Sequence, residues 1–388
     1  MSMKQPSSGG NNFLFRIRTL GILTALALVG ASCSSNSQNG SAVSAETTAE
    51  TTVAEPCVKV AVLILANEAD NGWSYSHIKG AESIKEKIAC AEVTILKDVP
   101  ESPEVEGTLQ QLVADGNQLI ISTSFGYQDY LNKVAADHPD VKFEQLTGLT
   151  TSENVSSFFG ASEDAGYLSG IAAGKVTKTG VIGYVAPFGI PNIVRAINGL
   201  ALGAQSVNPN VKVKVVFVNS WYDPTLERQA ADSLFAEGAD VVGMNMDSPA
   251  VGESARDNGG HWVGFTSPQI SVGYPEGFLT APVYNWAQYY VQRTQDVIDG
   301  TWKSQNYYGG LSDGFISLAP FGPSVDADLQ AMIVQRQKEI VDGTFQIWKG
   351  PIQDQNGKEV VARGVTLTLD QLFGTSYLVK GVSGQLPG

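Results

Sequence analysis

Two tryptophans sit where an α/β protein keeps its ligands. Trp221 belongs to the polar loop Asn219-Ser220-Trp221-Tyr222-Asp223-Pro224, which ends an apolar run over 211–218. Trp73 belongs to a similar loop with Asp70, Asn71 and Gly72, which ends the run over 58–65. Open α/β sheets bind ligands in the crevice beyond the carboxyl ends of their strands. An indole at such a position either plugs the core or stacks on a flat ligand, and stacking is worth about 1–3 kcal/mol per base. Other strand-end loops add Phe125 in Ser124-Phe125-Gly126-Tyr127, Phe188 ahead of Pro191, and Asp247 in Asn245-Met246-Asp247-Ser248-Pro249. Asp247 either caps the helix that follows it or, buried, takes hydrogen bonds from the polar edge of a heterocycle. Asn71, Ser74 and Tyr75 flank Trp73 and complete the candidate ligand contacts.

What is missing narrows the chemistry further. The chain has three histidines, and no pair of them has metal-ligand spacing. There is no Gly-rich phosphate loop, nucleophile elbow or zinc-protease motif. A catalytic role would therefore rest on carboxylates alone, and binding without chemistry is the stronger expectation, with no metal and no cofactor.

The elements needed to hold these loops are legible. Strands are expected at 58–65, 92–97, 118–123, 141–148, 155–159, 179–186, 211–218, 240–244, 261–265 and 278–283. Helices are expected near 75–88, 104–115, 128–137, 162–175, 191–206, 225–237, 249–257 and 285–299. Near-continuous Val/Ile/Leu strands alternating with helices mean parallel sheets covered on both faces. So many strands suggest an α/β protein of two doubly wound lobes joined by a hinge. Lobe I is placed at 58–152 plus about 268–308, and lobe II at 153–267 plus about 309–388. In the less regular C-terminal third, a strand at 313–318, a helix at 325–342, and a hairpin joining 345–349 to 359–362 through Asp354-Gln355-Asn356-Gly357 are expected.

The first 32 residues are set apart as a signal peptide. Lys4, Arg16 and Arg18 precede a short apolar run, and Gly30-Ala31-Ser32 precede Cys33. This resembles a bacterial lipoprotein signal, with Cys33 as the lipid anchor. Residues 33–56, rich in Ser, Thr and Ala, have too little apolar surface to fold and form a flexible tether. Without the signal the chain keeps 22 basic and 39 acidic residues, a balance that disfavours nucleic acid. Cys57 and Cys90 each precede one of the first two strands. They would meet as a disulfide in an oxidising compartment, or stay as two small buried apolar groups.

These residues resemble the basic membrane protein (BMP) family of ABC-transporter substrate-binding lipoproteins. The resemblance lies in Asp70-Asn71-Gly72-Trp73-Ser74-Tyr75-Ser76-His77, Thr123–Tyr127, Gly180–Asn198, Val207-Asn208-Pro209, Val218–Pro224, Gly238–Val241, Asp247-Ser248-Pro249 and Gly300–Ser304. It is nearest to the branch that binds purine bases such as adenine. It implies the type I periplasmic-binding fold, with Trp73 and Trp221 sandwiching a base and Asp247 on its polar edge. It also implies no cofactor, and delivery of the ligand to a membrane permease driven by an ATPase, from a cell-membrane anchor facing the outside or periplasm. The chain departs from the family at Gly264-Phe265-Thr266-Ser267-Pro268, where Gly-Tyr-Asp-Ser-Asp is expected. A nucleoside, an amide or a sugar as the solute, or a sensory rather than a transport role, are the alternatives.

Overall fold

The computed structural model describes residues 57–387; the signal peptide, Cys33 and the tether lie outside the described residues. The chain opens with β1 (Val58–Leu63), α1 (Trp73–Lys87), β2 (Ala91–Leu96), α2 (Glu104–Ala114), β3 (Leu119–Ser122), α3 (Gln128–Asp137), β4 (Lys142–Leu146) and β5 (Val155–Gly160). It then crosses to α4 (Ser162–Val176), β6 (Val181–Ala186), α5 (Pro191–Val207), β7 (Lys212–Phe217), α6 (Pro224–Ala236), β8 (Val241–Met244), α7 (Ala250–Asp257) and β9 (His261–Val263). The return consists of β10 (Pro282–Tyr284), α8 (Trp286–Ile298), β11 (Asn306–Gly309), β12 (Ile316–Leu318), α9 (Ala327–Val341), β13 (Ile352–Gln353), β14 (Glu359–Val361), α10 (Leu369–Phe373) and β15 (Val382–Ser383).

Two parallel sheets result, ordered β11-β5-β4-β3-β1-β2 and β15-β7-β6-β8-β9. In the first, alternate residues of β1 serve opposite faces. Val58, Val60 and Val62 pack with Ile78 and Ile84 of α1, while Ala61 and Leu63 pack with Leu109 of α2 and Leu131 of α3. That alternation is the two-unit period of a strand buried on both sides. In each sheet the strand order reverses beside the first strand of the lobe, β1 or β6, which makes a crevice at the carboxyl ends.

The lobe boundaries differ from the expected ones. β5 pairs with β4 and β11 in the first sheet, so the chain leaves lobe I after Gly160, not at 152. Residues 268–284 stay with the second lobe, since Phe278 bridges to Trp262 and Val283 to Thr266; the return to lobe I begins at α8, not near 268. Residues 150–153, where the sequence divides the lobes at a polar stretch, form only a turn between β4 and β5. Likewise the Asp354–Gly357 turn is present, but it joins β14 to Ile352–Gln353 and not to 345–349.

Two local features brace the lobes. Cys57 and Cys90 are joined as a disulfide, with Cα atoms 5.4 Å apart. Closing that loop removes freedom from the unfolded chain worth about 3–4 kcal/mol. In lobe II, α4 and α5 pack backbone to backbone. A Cβ on Gly170 would stand 2.1 Å from the Leu200 carbonyl oxygen, and one on Gly203 would stand 1.9 Å from that of Tyr167. Only glycine allows such closeness, and it brings Glu163 and Arg195 side by side.

Candidate ligand-binding site

Trp73 and Trp221 are each aimed by the helix cap beside them. After β1, the Asp70 carboxylate accepts backbone N–H groups from Gly72 (3.0 Å), Ser74 (2.6 Å) and Tyr75 (2.9 Å). These are the orphan donors of the first turn of α1, and capping them sets Trp73 as the first helical residue. The Trp73 indole N–H donates to the Thr123 carbonyl at the end of β3, at 2.9 Å. Its ring stands edge-on to His77 and Trp286, at 4.6 and 5.6 Å. The indole is therefore anchored before any ligand arrives.

After β7, Asn219 takes a left-handed conformation (φ 56°), which turns the chain sharply. Asp223 caps α6 by accepting from Thr225 and Leu226 N–H at 3.1 and 2.9 Å. Between these two anchors Trp221 projects, backed edge-on by Phe188 at 5.0 Å. After β8, Ser248 caps α7 weakly by accepting the Ala250 N–H at 3.3 Å. Asp247 takes no part in that cap, so the capping alternative for it falls away.

Trp73, Trp221, Asp247 and Phe125 line one cavity of about 490 Å³. Leu65, Leu146, Phe159 and Phe265 add to its apolar wall. The structure does not place the other four expected contacts on that wall. Ser74 is buried, its hydroxyl accepting the Ala66 N–H at 3.2 Å. Asn71 turns the loop (φ 53°) and donates to the Ala69 carbonyl. Tyr75 lies beneath the Lys79 ammonium. Phe188 stands behind Trp221. Residues adjacent on a helix point about 100° apart, so neighbours of Trp73 do not share its outlook.

The cavity also has polar residues that the motifs did not single out. Asn245 accepts the Tyr184 hydroxyl through its side-chain oxygen. Arg195, Tyr308, Asn306 and Phe373 line the same space. Arg195 carried one signal, as a lone charge in the otherwise uncharged α5. Tyr308 and Phe373 arrive from distant returning segments and carried none. Thr266, in the departing motif, adopts φ 65° with its buried hydroxyl unpartnered, a costly conformation for a β-branched residue. Aspartate tolerates that region better.

The electrostatics centre on Asp247. Burial pushes its carboxyl well above the usual range, and the nearby Asp70 and Glu227 carboxylates push it further. Asp70 and Glu227 are committed to caps, Glu227 accepting the Asp223 N–H at 3.0 Å. Asp247 makes no side-chain hydrogen bond among the described residues, so it is free to meet a ligand. The loops bearing Trp73 and Asp247 also touch across the cleft. A Cβ on Gly72 would lie 2.9 Å from the Asp247 carbonyl oxygen.

A raised native pKa means that the folded protein holds a proton the unfolded chain releases near pH 4. Stability from this source is present at low pH and lost as pH rises through the native value. Asp247→Asn removes that loss. The unliganded variant should melt higher than wild type at pH 7, with the gain shrinking toward pH 4, and should bind N–H-bearing ligands more weakly. A lower melting temperature at pH 7 would show that Asp247 has a structural role instead.

Among the described residues no cluster of His, Cys, Asp or Glu could hold a metal ion, and no helix is long and apolar enough to cross a membrane. The family described as ABC transporter substrate-binding protein, PnrA-like (Bmp), matches residues 57–347. A purine-binding protein of Brucella abortus is 37% identical over 86% of this chain and 95% of its own length. A putative ABC transporter glucose-binding protein of Haloferax volcanii is 33% identical over 85% of this chain and 81% of its own. Among solved structures, a solute-binding protein of an ABC transporter system from Conexibacter woesei covers 74% of this chain at 22% identity, with a TM-score of 0.63 and 98% of its own chain aligned. One from Aeropyrum pernix covers 76% at 18% identity, with a TM-score of 0.65 and 93% of its own chain aligned. These two likenesses are of fold.

Proposed function

Because the chain belongs to the Bmp family of PnrA-like ABC-transporter substrate-binding proteins, we propose that its cleft receives a purine base, adenine-like, and hands it to a permease driven by an ATPase. The observation that carries this reading is one cavity holding two indoles on strand-end loops of opposite lobes, with an uncommitted buried carboxylate. Indole faces suit a planar ring, and a carboxylate suits exocyclic and ring N–H groups. The purine-binding relative supports the same choice. The family and its relatives are binding proteins, and the site has no catalytic constellation to set against that.

The glucose-binding name of the second relative makes a sugar the competing solute, since sugars also stack on indoles. The wall of Leu65, Phe125, Leu146, Phe159 and Phe265 argues against it, because each sugar hydroxyl buried there would need a partner. Adenine, guanine or hypoxanthine should raise the melting temperature, while free ribose and glucose should not. A ligand that binds only the folded state adds about 2.7 kcal/mol at a hundredfold excess over its Kd. Sugars that shift the transition while every purine leaves it unmoved would hand the site to the competing reading.

We place the protein at the cell surface through Cys33, on the basic n-region, short apolar run and small residues before it. Stable anchoring takes two or more acyl chains, which a diacylglyceryl-cysteine, further acylated with a chain such as palmitate, provides. Cys33→Ala should leave the protein unprocessed or released from membranes. A mature-sized variant that still sediments with membranes would refute the anchor.

A further inference from the structure

One end of the cavity is built for more than stacking. Arg195 is 4% exposed and lines the cavity. Its Nε donates to Glu163 Oε1 at 3.3 Å and its Nη2 to the Tyr308 hydroxyl at 3.4 Å; Nη1 has no acceptor among the described residues. A guanidinium carries five N–H donors in a fork that fits a carboxylate bidentately. Glu163 does not take that fork. Its Oε1 is shared with the Tyr308 hydroxyl at 2.6 Å, and its Oε2 has no partner. Glu163 Oε2 is fully buried, whereas the Nη1 donors keep access to the cavity that Arg195 lines, where an acceptor can reach them.

The surroundings hold the fork in place. The Phe373 ring lies 5.0 Å from the Arg195 guanidinium carbon, covering one face, and stands edge-on to Tyr308 at 4.8 Å. The edge of the fork remains for the cavity. Asn192, one helical turn before Arg195, lines the same space, and no side chain caps the start of α5. The volume of about 490 Å³ falls in the range that encloses drug-sized ligands, larger than a bare base.

We infer that the ligand carries a carboxylate on its heterocycle and that Arg195 receives it, at the end of the cleft walled by Tyr308 and Phe373. This rests on the purine reading of the stacking residues. Glu163 then keeps the guanidinium oriented through Nε, and the ligand carboxylate takes the remaining N–H donors at the Nη edge.

Calorimetry with adenine, N9- and N6-carboxymethyladenine and the two matching carboxamides tests it. At least one acid should bind about tenfold or more tighter than adenine and than its own amide, the scale of a charge-assisted hydrogen bond. Arg195→Lys, which keeps a countercharge for Glu163 but loses the fork, should weaken that acid at least about tenfold more than it weakens adenine. The comparison of acid with amide on the wild type needs no variant to fold. Adenine binding with neither acid tighter than its amide would overturn the inference and leave the purine reading standing. No binding by any member, adenine included, would overturn both.

Discussion

Replacing Arg293 by methionine should cost the protein about 3–5 kcal/mol of stability, the scale for a buried charge that loses its partner. Arg293 and Glu144 are buried together, Nε to Oε1 at 2.6 Å. The remaining donors of Arg293 go to Asp296, Ser156 and the Lys303 carbonyl. Glu144 also accepts the Tyr289 hydroxyl and the Trp302 indole N–H, at 2.6 and 2.7 Å. One carboxylate on β4 therefore fastens α8 and the segment leading into β11, the strand that brings Asn306 and Tyr308 to the cleft. Burial already pushes the Glu144 carboxyl up, against the opposing pull of Arg293. Without Arg293 it rises further, so the loss should be larger at pH 8 than at pH 5. Glu144→Gln in the same chain should recover part of it by removing the stranded charge. Urea unfolding at the two pH values measures this. A loss below about 1 kcal/mol would mean that water reaches the pair and the fastening is weak.

The lobes and both tryptophan loops were legible because their signals are local. β1, β3, β6 and β8 are dense runs of Val, Ile and Leu, and each strand of this set ends in a loop with polar or glycine residues. Sheet membership was not local. β5 looks like any strand in sequence, and only its pairing with β4 on one side and with β11, drawn from far along the chain, on the other assigns it to lobe I. The same distance hid half the cleft, since Tyr308 and Phe373 come from the returning segments. Arg195 depends on a seam of glycines between α4 and α5 that no single-helix pattern reveals. The opposite error arose from adjacency. Ser74, Tyr75 and Phe188 flank the indoles in sequence or in the adjacent strand-end loop, yet the helical turn and the backing role of Phe188 take them off the wall. Asp247 was marked by its place after β8, but its lack of any cap partner is set by the fold of the loop, where Ser248 takes the Ala250 N–H instead.

Truncating both indoles should remove about 2–6 kcal/mol of ligand binding, twice the scale of one lost base–aromatic stack. The two single variants should differ in a second way. Trp221 is only partly buried and rests on Phe188, so Trp221→Ala should lose affinity with little change in melting temperature. Trp73 is anchored by Thr123 and packed on His77 and Trp286. Trp73→Ala strands the Thr123 carbonyl and opens a hole in an aromatic cluster, so it should lose affinity and stability together. Trp73→Phe keeps a stacking face but no N–H, and should recover most of the affinity with less of the stability. If the two residues grip one ligand from opposite lobes, their effects should also be non-additive, because the loss of either face loosens the other. Calorimetry on the two singles and the double, with adenine as titrant and thermal melting as the control, gives that coupling directly. Strictly additive losses would place the indoles on separate parts of the ligand, and unchanged affinity in both singles would place the ligand elsewhere.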